Sequence, residues 1–230
     1  MNYILEGIIE AFCLLISLEP EIVEIALLSV SVSTVSTFLA SAVGIPLGFL
    51  VAYHEFRGKQ MVITILNTLL SLPTVVVGLI AFSLLSSRGP FGELNLLFTP
   101  WGIIIGQFVL ALPIVTTLSL NVIKEAESKI INTALSLGAS FRQAVFMLFK
   151  ELKFGLLGAV ITAYGRLIGE VGISMMLGGN IRGFTRTLTT AIALETSKGE
   201  FAFALALGGI LMFISLLINF GLHYFQEARY

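Results

Sequence analysis

Aspartate is absent from this chain of 230 residues, and all 14 acidic side chains are glutamates. Intramembrane proteolysis by paired aspartates is therefore excluded. The single Cys13 excludes a disulfide within the chain and provides no cysteine cluster for a metal ion. His54 and His223 fall at the ends of apolar segments without a Cys or Asp companion, which argues against a metal site and a serine–histidine active site.

Charge is also scarce. Only 12% of the residues are charged, 57% are hydrophobic, and the mean hydropathy is +0.99. A soluble domain is closer to half apolar, so this composition predicts an integral membrane protein. The net charge of −1 predicts no nucleic-acid partner. The phosphate-binding pattern Gly-x4-Gly-Lys-Ser/Thr is missing, so we expect no cofactor in this chain and any ATP hydrolysis in a separate subunit.

Five long apolar segments follow one another along the chain, and each exceeds the roughly 20 residues that cross a hydrocarbon core of about 30 Å. They are Ile22–Tyr53, Met61–Leu85, Trp101–Val122, Phe154–Leu177 and Phe203–Phe225. The pattern predicts an all-α membrane protein whose transmembrane domain, of about five helices, occupies residues 22–230.

Residues 1–21 form a different kind of segment, because Glu6 and Glu10 interrupt the apolar residues. The apolar residues recur at helical spacing on the opposite face, which predicts an amphipathic helix in the membrane interface. A sixth span over residues 3–18 is the alternative, although about 16 residues fall short of the length that a span needs. No Lys or Arg precedes Arg57, so the segment is not typical of a secretory signal.

The lysines and arginines of the loops predict the orientation, since cytoplasmic loops carry an excess of these residues. One side has eight of them, in the 54–60 loop, the 123–153 loop and the tail, and the other side has four. We therefore expect a multi-pass protein of the cell membrane with its N-terminus outside and its C-terminus in the cytoplasm. An odd number of spans also argues against two equal inverted repeats, the plan of many secondary transporters.

The 123–153 loop contains the stretch NTALSLGASFRQAVFMLF, which begins at Asn132 and is amphipathic rather than membrane-spanning. Its first part predicts a short helix that ends at Gly138, a residue suited to the left-handed conformation of a helix C-terminus. Ser140 and Gln143 have the spacing of a capping box, which predicts the start of a second helix. Both a helical hairpin on the membrane surface and a docking element for a partner protein fit this pattern.

The segment NTALSLGAS resembles the cytoplasmic EAA loop of permease subunits in bacterial and archaeal ABC importers. The family pattern is Glu-Ala-Ala, three residues, Gly, nine residues, Ile, one residue, Leu-Pro. Ala134 and Gly138 match this pattern, and Leu148 takes the place of its Ile. The chain departs from the pattern at Asn132, Thr133, Lys150 and Glu151.

A second resemblance is longer. The segment GRLIGEVGISMMLGGNIRGFTRTLTTAIALETSKGEFAFALALG, Gly165–Gly208, is similar to the corresponding region of tungstate-type permeases, and with the span layout the likeness covers roughly residues 22–225. It implies the type I ABC importer fold (MetI-like) and a transport subunit that is not an enzyme. The implied solute is a tetrahedral oxyanion, with tungstate first and molybdate, sulfate or another anion as alternatives.

The resemblance also implies partners. A second copy of the chain would complete the solute path as a homodimer, two ABC ATPase subunits would bind ATP, and an extracytoplasmic oxyanion-binding protein would deliver the solute. In the family the 123–153 loop forms a coupling helix that sits in a groove of the ATPase. The residues expected to make this contact are Asn132, Thr133, Ala134, Leu135, Gly138, Ala139, Ser140 and Phe141.

Arg166 and Glu170 lie inside the predicted fourth span, where each charge costs roughly 2.5–3.5 kcal/mol. Their i, i+4 spacing allows mutual neutralisation, which predicts a paired brace at a gate near the dimer axis. Alternatively, Arg166 supplies positive potential to an oxyanion path. On the second span, Asn67, Ser71 and Thr74 form a polar stripe that serves either helix packing or this path.

The predicted outer loop, residues 178–202, carries Arg182 and Arg186 four positions apart. This pair either steers a small dianion or an acidic docking partner, or belongs to a solvated loop. A protein of another class, an ion-coupled secondary transporter or channel with Glu170 as its proton site, is also consistent with the spans. Such a protein leaves the helix–glycine–helix pattern of the 123–153 loop unexplained.

Overall fold

The computed structural model describes residues 19–227, which are helical and contain no strand. The helices are α1 Pro20–Tyr53, α2 Lys59–Leu69, α3 Thr74–Leu85, α4 Pro100–Ser136, α5 Phe141–Glu151, α6 Lys153–Ile168, α7 Gly172–Gly178, α8 Leu188–Lys198 and α9 Phe201–Glu227, with a 3-10 turn at Gly92–Leu94. The amphipathic helix predicted within residues 1–21, the alternative span at 3–18, Cys13 and Arg229 lie outside the described residues, apart from the last three positions of the first segment.

The membrane spans are of two kinds. The helices α1, α4 and α9 are each long and apolar enough to cross a bilayer. Two helix pairs pass the same test together but are bent, by 98° between α2 and α3 and by 62° between α6 and α7. Five spans result if each bent pair counts as one, which agrees in number with the sequence-based prediction. Each of the spans predicted at 61–85 and 154–177 consists of two helices joined at a break.

Proline causes the break between α2 and α3. Pro73 has no N–H to donate, and its ring disfavours helical geometry at the preceding residue. The helix therefore ends in tighter turns, in which the Leu70 and Ser71 N–H groups bond to carbonyls three residues back. Because the chain changes direction here, Asn67 and Ser71 do not share one continuous helix face with Thr74, contrary to the predicted stripe.

Glycine marks the break between α6 and α7. The helix α6 ends at Ile168, Gly169 follows as its C-cap residue, and α7 starts at Gly172. Glycine is about 1 kcal/mol less favourable than alanine inside a helix, so two glycines within four residues weaken this part of the span. The Glu170 N–H turns back to the Leu167 carbonyl at 3.0 Å, which closes the end of α6.

The helix α4 is longer than predicted. It has 37 residues and continues without interruption from the third predicted span into the 123–153 loop. The separate short helix predicted before Gly138 is therefore wrong, since it is the last part of α4. No glycine or proline occurs between Pro113 and Gly138, so nothing in the local sequence stops the helix.

Small residues bring α1 and α4 into close contact. The buried face of α1 is largely serine, threonine, alanine and glycine, and it includes Gly44 and Gly48. A Cβ added at Gly48 would lie only 2.9 Å from the Thr116 carbonyl oxygen of α4. This close approach of two backbones is the packing that small residues permit between transmembrane helices.

Two clusters of buried side chains define the ends of the bundle. At the α5 end, Ala52 of α1 and Ile123 and Ala134 of α4 pack with Ala144 and Leu148 of α5. At the α8 end, Ile22 and Ile25 of α1 pack with Leu188 and Ala191 of α8 and with Ala206 and Leu207 of α9. The 54–58 and 137–152 connections therefore share one end, and residues 179–200 lie at the other.

Candidate functional site

The turn between α4 and α5 has the geometry that the sequence predicts. Gly138 has a φ of +86°, in the left-handed region. The Ala139 N–H bonds to the Ala134 carbonyl at 3.0 Å, which is the pattern of a Schellman helix end. The Ser140 N–H donates to the Gln143 side-chain oxygen at 2.8 Å, which confirms the predicted capping box.

Contacts with α1 hold α5 in place. The ring of Phe141 lies 5.3 Å from that of Tyr53, and the ring of Phe149 lies 5.5 Å from that of Phe49. Such aromatic pairs add to the energy gained from burial alone. The position of α5 is therefore coupled to the end of the first span as well as to α4.

An apolar surface is exposed around this turn. Leu137 is 81% exposed and Phe146 is 70% exposed, with Leu135, Phe141 and Met147 also open. A hollow of about 580 Å³ lies among these side chains, and its lining consists of Leu137, Gly138, Ala139, Arg142, Gln143, Phe146 and Met147. Contiguous exposed apolar side chains with a polar rim are typical of an interaction surface.

The predicted contact residues divide into two groups at this surface. The exposed ones, available to a partner, are Asn132, Thr133, Leu135, Gly138, Ser140 and Phe141, and Ala139 is half-buried. Ala134 is only 3% exposed and packs toward α5, so it supports the surface from below. The sequence-based list lacks Leu137, at the end of α4, and Phe146 and Met147 of α5, whose exposure follows from how the two helices are placed and not from their residue types.

Arg166 and Glu170 do not form the predicted pair. No ion pair joins them within the described residues, Arg166 is exposed, and Glu170 is 4% exposed. The i, i+4 geometry is lost because α6 ends at Ile168, before Glu170 is reached. The Glu170 carboxylate instead accepts the Ile173 N–H at 3.3 Å, and its backbone carbonyl accepts the Thr189 hydroxyl at 2.8 Å.

The outward face of α6 is polar and open. Thr162, Arg166 and Gly169 are exposed along it, and a Cβ at Gly169 would meet no atom within 4 Å. At Gly165, a Cβ would meet only Ile218, at an ordinary contact distance of 3.7 Å. Neither glycine therefore lies at a tight contact with another helix of the same chain.

Polar residues are also exposed on α2 and just after its end. Asn67 and Ser71, two of the predicted path residues, are exposed together with Thr64 and Thr68, while Thr74 is half-buried. Both α2 and α6 pack against α4. An open arginine and an open asparagine inside membrane spans are costly against lipid, so these faces require cover by protein or by a water-filled path.

At the α8 end, charged residues that are distant in sequence come together. Arg186 lies 3.3 Å from Glu21 of α1 and 3.6 Å from Glu195 of α8, and Lys198 lies 2.9 Å from Glu195. Arg182 also binds Glu21. These five residues are called the α8 charge cluster below. A cavity of about 410 Å³ adjoins the cluster, and Glu19, Glu200 and Phe203 complete its lining.

The two arginines of the cluster differ in environment. Arg186 is 9% exposed and bonded to two carboxylates, so the prediction of a solvated loop is wrong at this residue. The segment is also partly helical, because α8 occupies 188–198. Arg182 is exposed, and the hydrogen bond and the negative charge of Glu21 raise the pKa of its guanidinium above the ordinary value, which keeps it cationic.

We expect Arg186→Ala to destabilise the protein and Arg182→Ala to have little effect. Without Arg186, buried Glu195 keeps only Lys198 as a partner, and Glu21 keeps only the exposed Arg182. Breaking such a buried pair lowers the free energy of unfolding by roughly 3 kcal/mol. The matched removal of Arg182 breaks only a solvated pair. Thermal unfolding of the detergent-purified variants measures the difference, and equal melting temperatures for the two variants would contradict this assignment.

No cluster of three or more His, Cys or Glu side chains that could hold a metal ion occurs in the described part of the chain. The candidate site is therefore made of the apolar surface at the α5 end, the open polar faces of α2 and α6, and the α8 charge cluster. Such an arrangement can bind partner proteins at both ends and an anion between them.

Comparisons with known proteins extend this description. Residues 44–229 match the family described as "Binding-protein-dependent transport system inner membrane component". The chain is 41% identical to the tungstate uptake system permease protein TupB of Peptoclostridium acidaminophilum, over 99% of this chain and 100% of that protein. It is 44% identical to TupB of Campylobacter jejuni subsp. jejuni, over 97% of this chain and 93% of that protein.

A solved structure with a similar fold is the MetNI methionine ABC transporter in inward-facing conformations. The likeness has a TM-score of 0.74 at 19% identity and covers 93% of this chain and 98% of the chain compared. It confirms the all-α, MetI-like permease fold of type I importers that the sequence resemblance implies.

Proposed function

This chain belongs to the family of binding-protein-dependent transport system inner membrane components, and from that premise we propose that it is the membrane-spanning permease subunit of an ATP-driven importer for tungstate. The observation that supports the solute is the identity of 41% and 44% to two tungstate uptake permeases over nearly the full length. The chain is a transport subunit of the inner membrane, with ATP bound and hydrolysed by two separate ATPase subunits.

The apolar surface at the α5 end is the proposed ATPase contact. Leu137, Phe141 and Phe146 offer exposed apolar area around a rigid turn, and Arg142 and Gln143 provide polar contacts at the hollow. This end contains Lys124, Lys129, Lys150 and Lys153, and such an excess of cations favours the cytoplasmic side. In this orientation the N-terminus is outside and the C-terminus is in the cytoplasm.

The open faces of α2 and α6 form the proposed path when two copies of the chain assemble about a two-fold axis. Asn67 and Ser71 supply hydrogen-bonding groups, and Arg166 supplies a positive charge that is free of any ion pair within the described residues. Two such arginines in the dimer attract a dianion into the bilayer. Thr74, at the start of α3, and the Glu170 carboxylate lie near each other, since a Cβ at Gly172 would be 3.3 Å from an oxygen of each side chain.

The α8 charge cluster is the proposed contact for an extracytoplasmic binding protein that delivers the oxyanion. Arg182 and Lys198 are its exposed cations. Alternating access then follows: the loaded binding protein docks outside, ATP closes the ATPases, and their motion passes through α5 and the end of α4 to the broken spans.

Two alternative functions are distinguished by the experiment below. Molybdate and sulfate have the same tetrahedral shape and charge as tungstate, so the permease alone does not set the choice among them. An ion-coupled transporter with Glu170 as a proton site is disfavoured by the family, and this carboxylate is buried beside the Ile173 N–H instead of facing a path.

The first experiment measures cellular tungsten and molybdenum by mass spectrometry at trace oxyanion supply. In cells that lack this chain, the tungsten content is expected to fall at least about tenfold and the molybdenum content to stay the same. A plasmid copy of the gene should restore the tungsten content. Unchanged tungsten contradicts the solute assignment. In proteoliposomes with ATP inside and the binding protein outside, uptake that requires ATP and persists without a proton gradient separates the importer from an ion-coupled carrier.

A further inference from the structure

The first turn of α8 connects three elements of the fold. Thr187 is the N-cap residue of α8 itself. The Leu188 N–H donates to the Ser29 hydroxyl of α1 at 2.7 Å, and the Thr189 hydroxyl donates to the Glu170 carbonyl at 2.8 Å. Three consecutive residues therefore cap α8 and join it by hydrogen bonds to the first span and to the break in the fourth span.

The bond between Thr189 and Glu170 is well shielded, since the two residues are 6% and 4% exposed. At the break, the backbone leaves the helix, and a carbonyl freed in this way needs another partner inside a membrane protein. Thr189 is that partner for Glu170. The Glu170 carboxylate in turn accepts the Ile173 N–H of α7 at 3.3 Å, so Glu170 links α8 to α7.

The rest of α8 is tied to the α8 charge cluster. Glu195, near the C-terminal end of α8, binds Arg186 and Lys198, and Arg186 reaches Glu21 of α1. The cluster is open to solvent at Arg182 and Lys198, whose side chains are 71% and 49% exposed. A protein that docks there acts directly on α8, because Glu195 and Thr189 are held on the same helix.

We propose that Thr189 is a positioning residue that transmits docking at the α8 charge cluster to the break between α6 and α7. This inference rests on the proposed function. A shift of α8 moves the Thr189 hydroxyl and with it the Glu170 carbonyl, which changes the angle between α6 and α7. Since α6 carries Arg166 on its open face, the same movement displaces the positive charge of the path.

The test uses the complete transporter, with its ATPases and its binding protein, in lipid nanodiscs. ATP hydrolysis is measured without binding protein and then with tungstate-loaded binding protein. Thr189→Val keeps the size and shape of the side chain but removes the hydroxyl, and it is expected to lower the stimulation by about three- to tenfold, the effect of one buried hydrogen bond on an equilibrium. Hydrolysis without binding protein should stay within about twofold of wild type.

Two matched variants control the result. Thr189→Ser restores a hydroxyl and is expected to recover the stimulation, whereas a purely steric role would leave it impaired. Thr196→Val makes the same chemical change at an exposed position of α8 and is expected to behave as wild type. Melting temperatures of all variants are compared, so that a loss caused by unfolding is recognised.

The outcomes are distinguishable. Full stimulation of Thr189→Val, or equal impairment of Thr189→Val and Thr189→Ser, overturns the inference and leaves the proposed function intact. A wild-type complex that shows no stimulation by a binding protein loaded with tungstate, molybdate or sulfate overturns the proposed function and the inference with it.

Discussion

Replacing Gly138 with valine is expected to abolish ATP-driven oxyanion uptake while sparing insertion into the membrane. Gly138 has a φ of +86°, and a β-branched residue adopts this conformation only at a cost of roughly 1–3 kcal/mol. A Cβ at this position meets no atom within 4 Å, so the strain is in the backbone alone. The turn relaxes by changing the angle between α4 and α5, which displaces the apolar surface that contacts the ATPase.

Uptake of radiolabelled tungstate into proteoliposomes and co-purification of the ATPase measure this effect. We expect both to fall at least about tenfold in Gly138→Val, as 1.4 kcal/mol corresponds to a factor of ten. Gly138→Asn is the matched control, because asparagine tolerates the left-handed region, and it should retain most of the activity. Wild-type transport by the valine variant would count heavily against the docking role of this turn.

Reversing the charge of Arg166 is expected to reduce oxyanion uptake by roughly 100-fold, because a carboxylate in the path repels a dianion where the guanidinium attracted it. At an effective dielectric constant of about 20, one unit charge at about 4 Å contributes roughly 4 kcal/mol, so even a screened remnant of this energy gives such a factor. Arg166→Lys keeps the positive charge and should retain uptake within about tenfold of wild type.

This effect is separable from misfolding. Arg166 is exposed and makes no ion pair in the described part of the chain, so Arg166→Glu should leave the melting temperature and the basal ATP hydrolysis unchanged. Uptake by Arg166→Glu at the wild-type rate would remove Arg166 from the path and favour a role in the contact between the two copies.

Features that depend on neighbouring residues were predictable from the sequence. The number of spans follows from segment length and hydropathy. The positive φ of Gly138 and the capping box at Ser140 follow from spacings of a few residues. These patterns act through local backbone sterics and hydrogen bonds, which depend only on residue types a few positions apart.

Features that join distant segments were not predictable in this way. Glu21 meets Arg186 across 165 residues, and Thr189 meets the Glu170 carbonyl across 19, so neither bond has a local pattern. The pairing of Arg166 with Glu170 was wrong because it assumed a continuous helix. Gly169 and Gly172 were a signal of the break, and Pro73 was the corresponding signal in the second span.

The unbroken length of α4 has a consequence for the lipid environment of the protein. A helix of 37 residues is about 55 Å long, against a hydrocarbon core of about 30 Å, so some 25 Å of it stands beyond the core. Bilayers differ in thickness by only a few ångströms. The turn at Gly138 is thus held clear of the headgroups in thin and thick membranes alike, and we expect engagement of a soluble partner there to be insensitive to acyl-chain length.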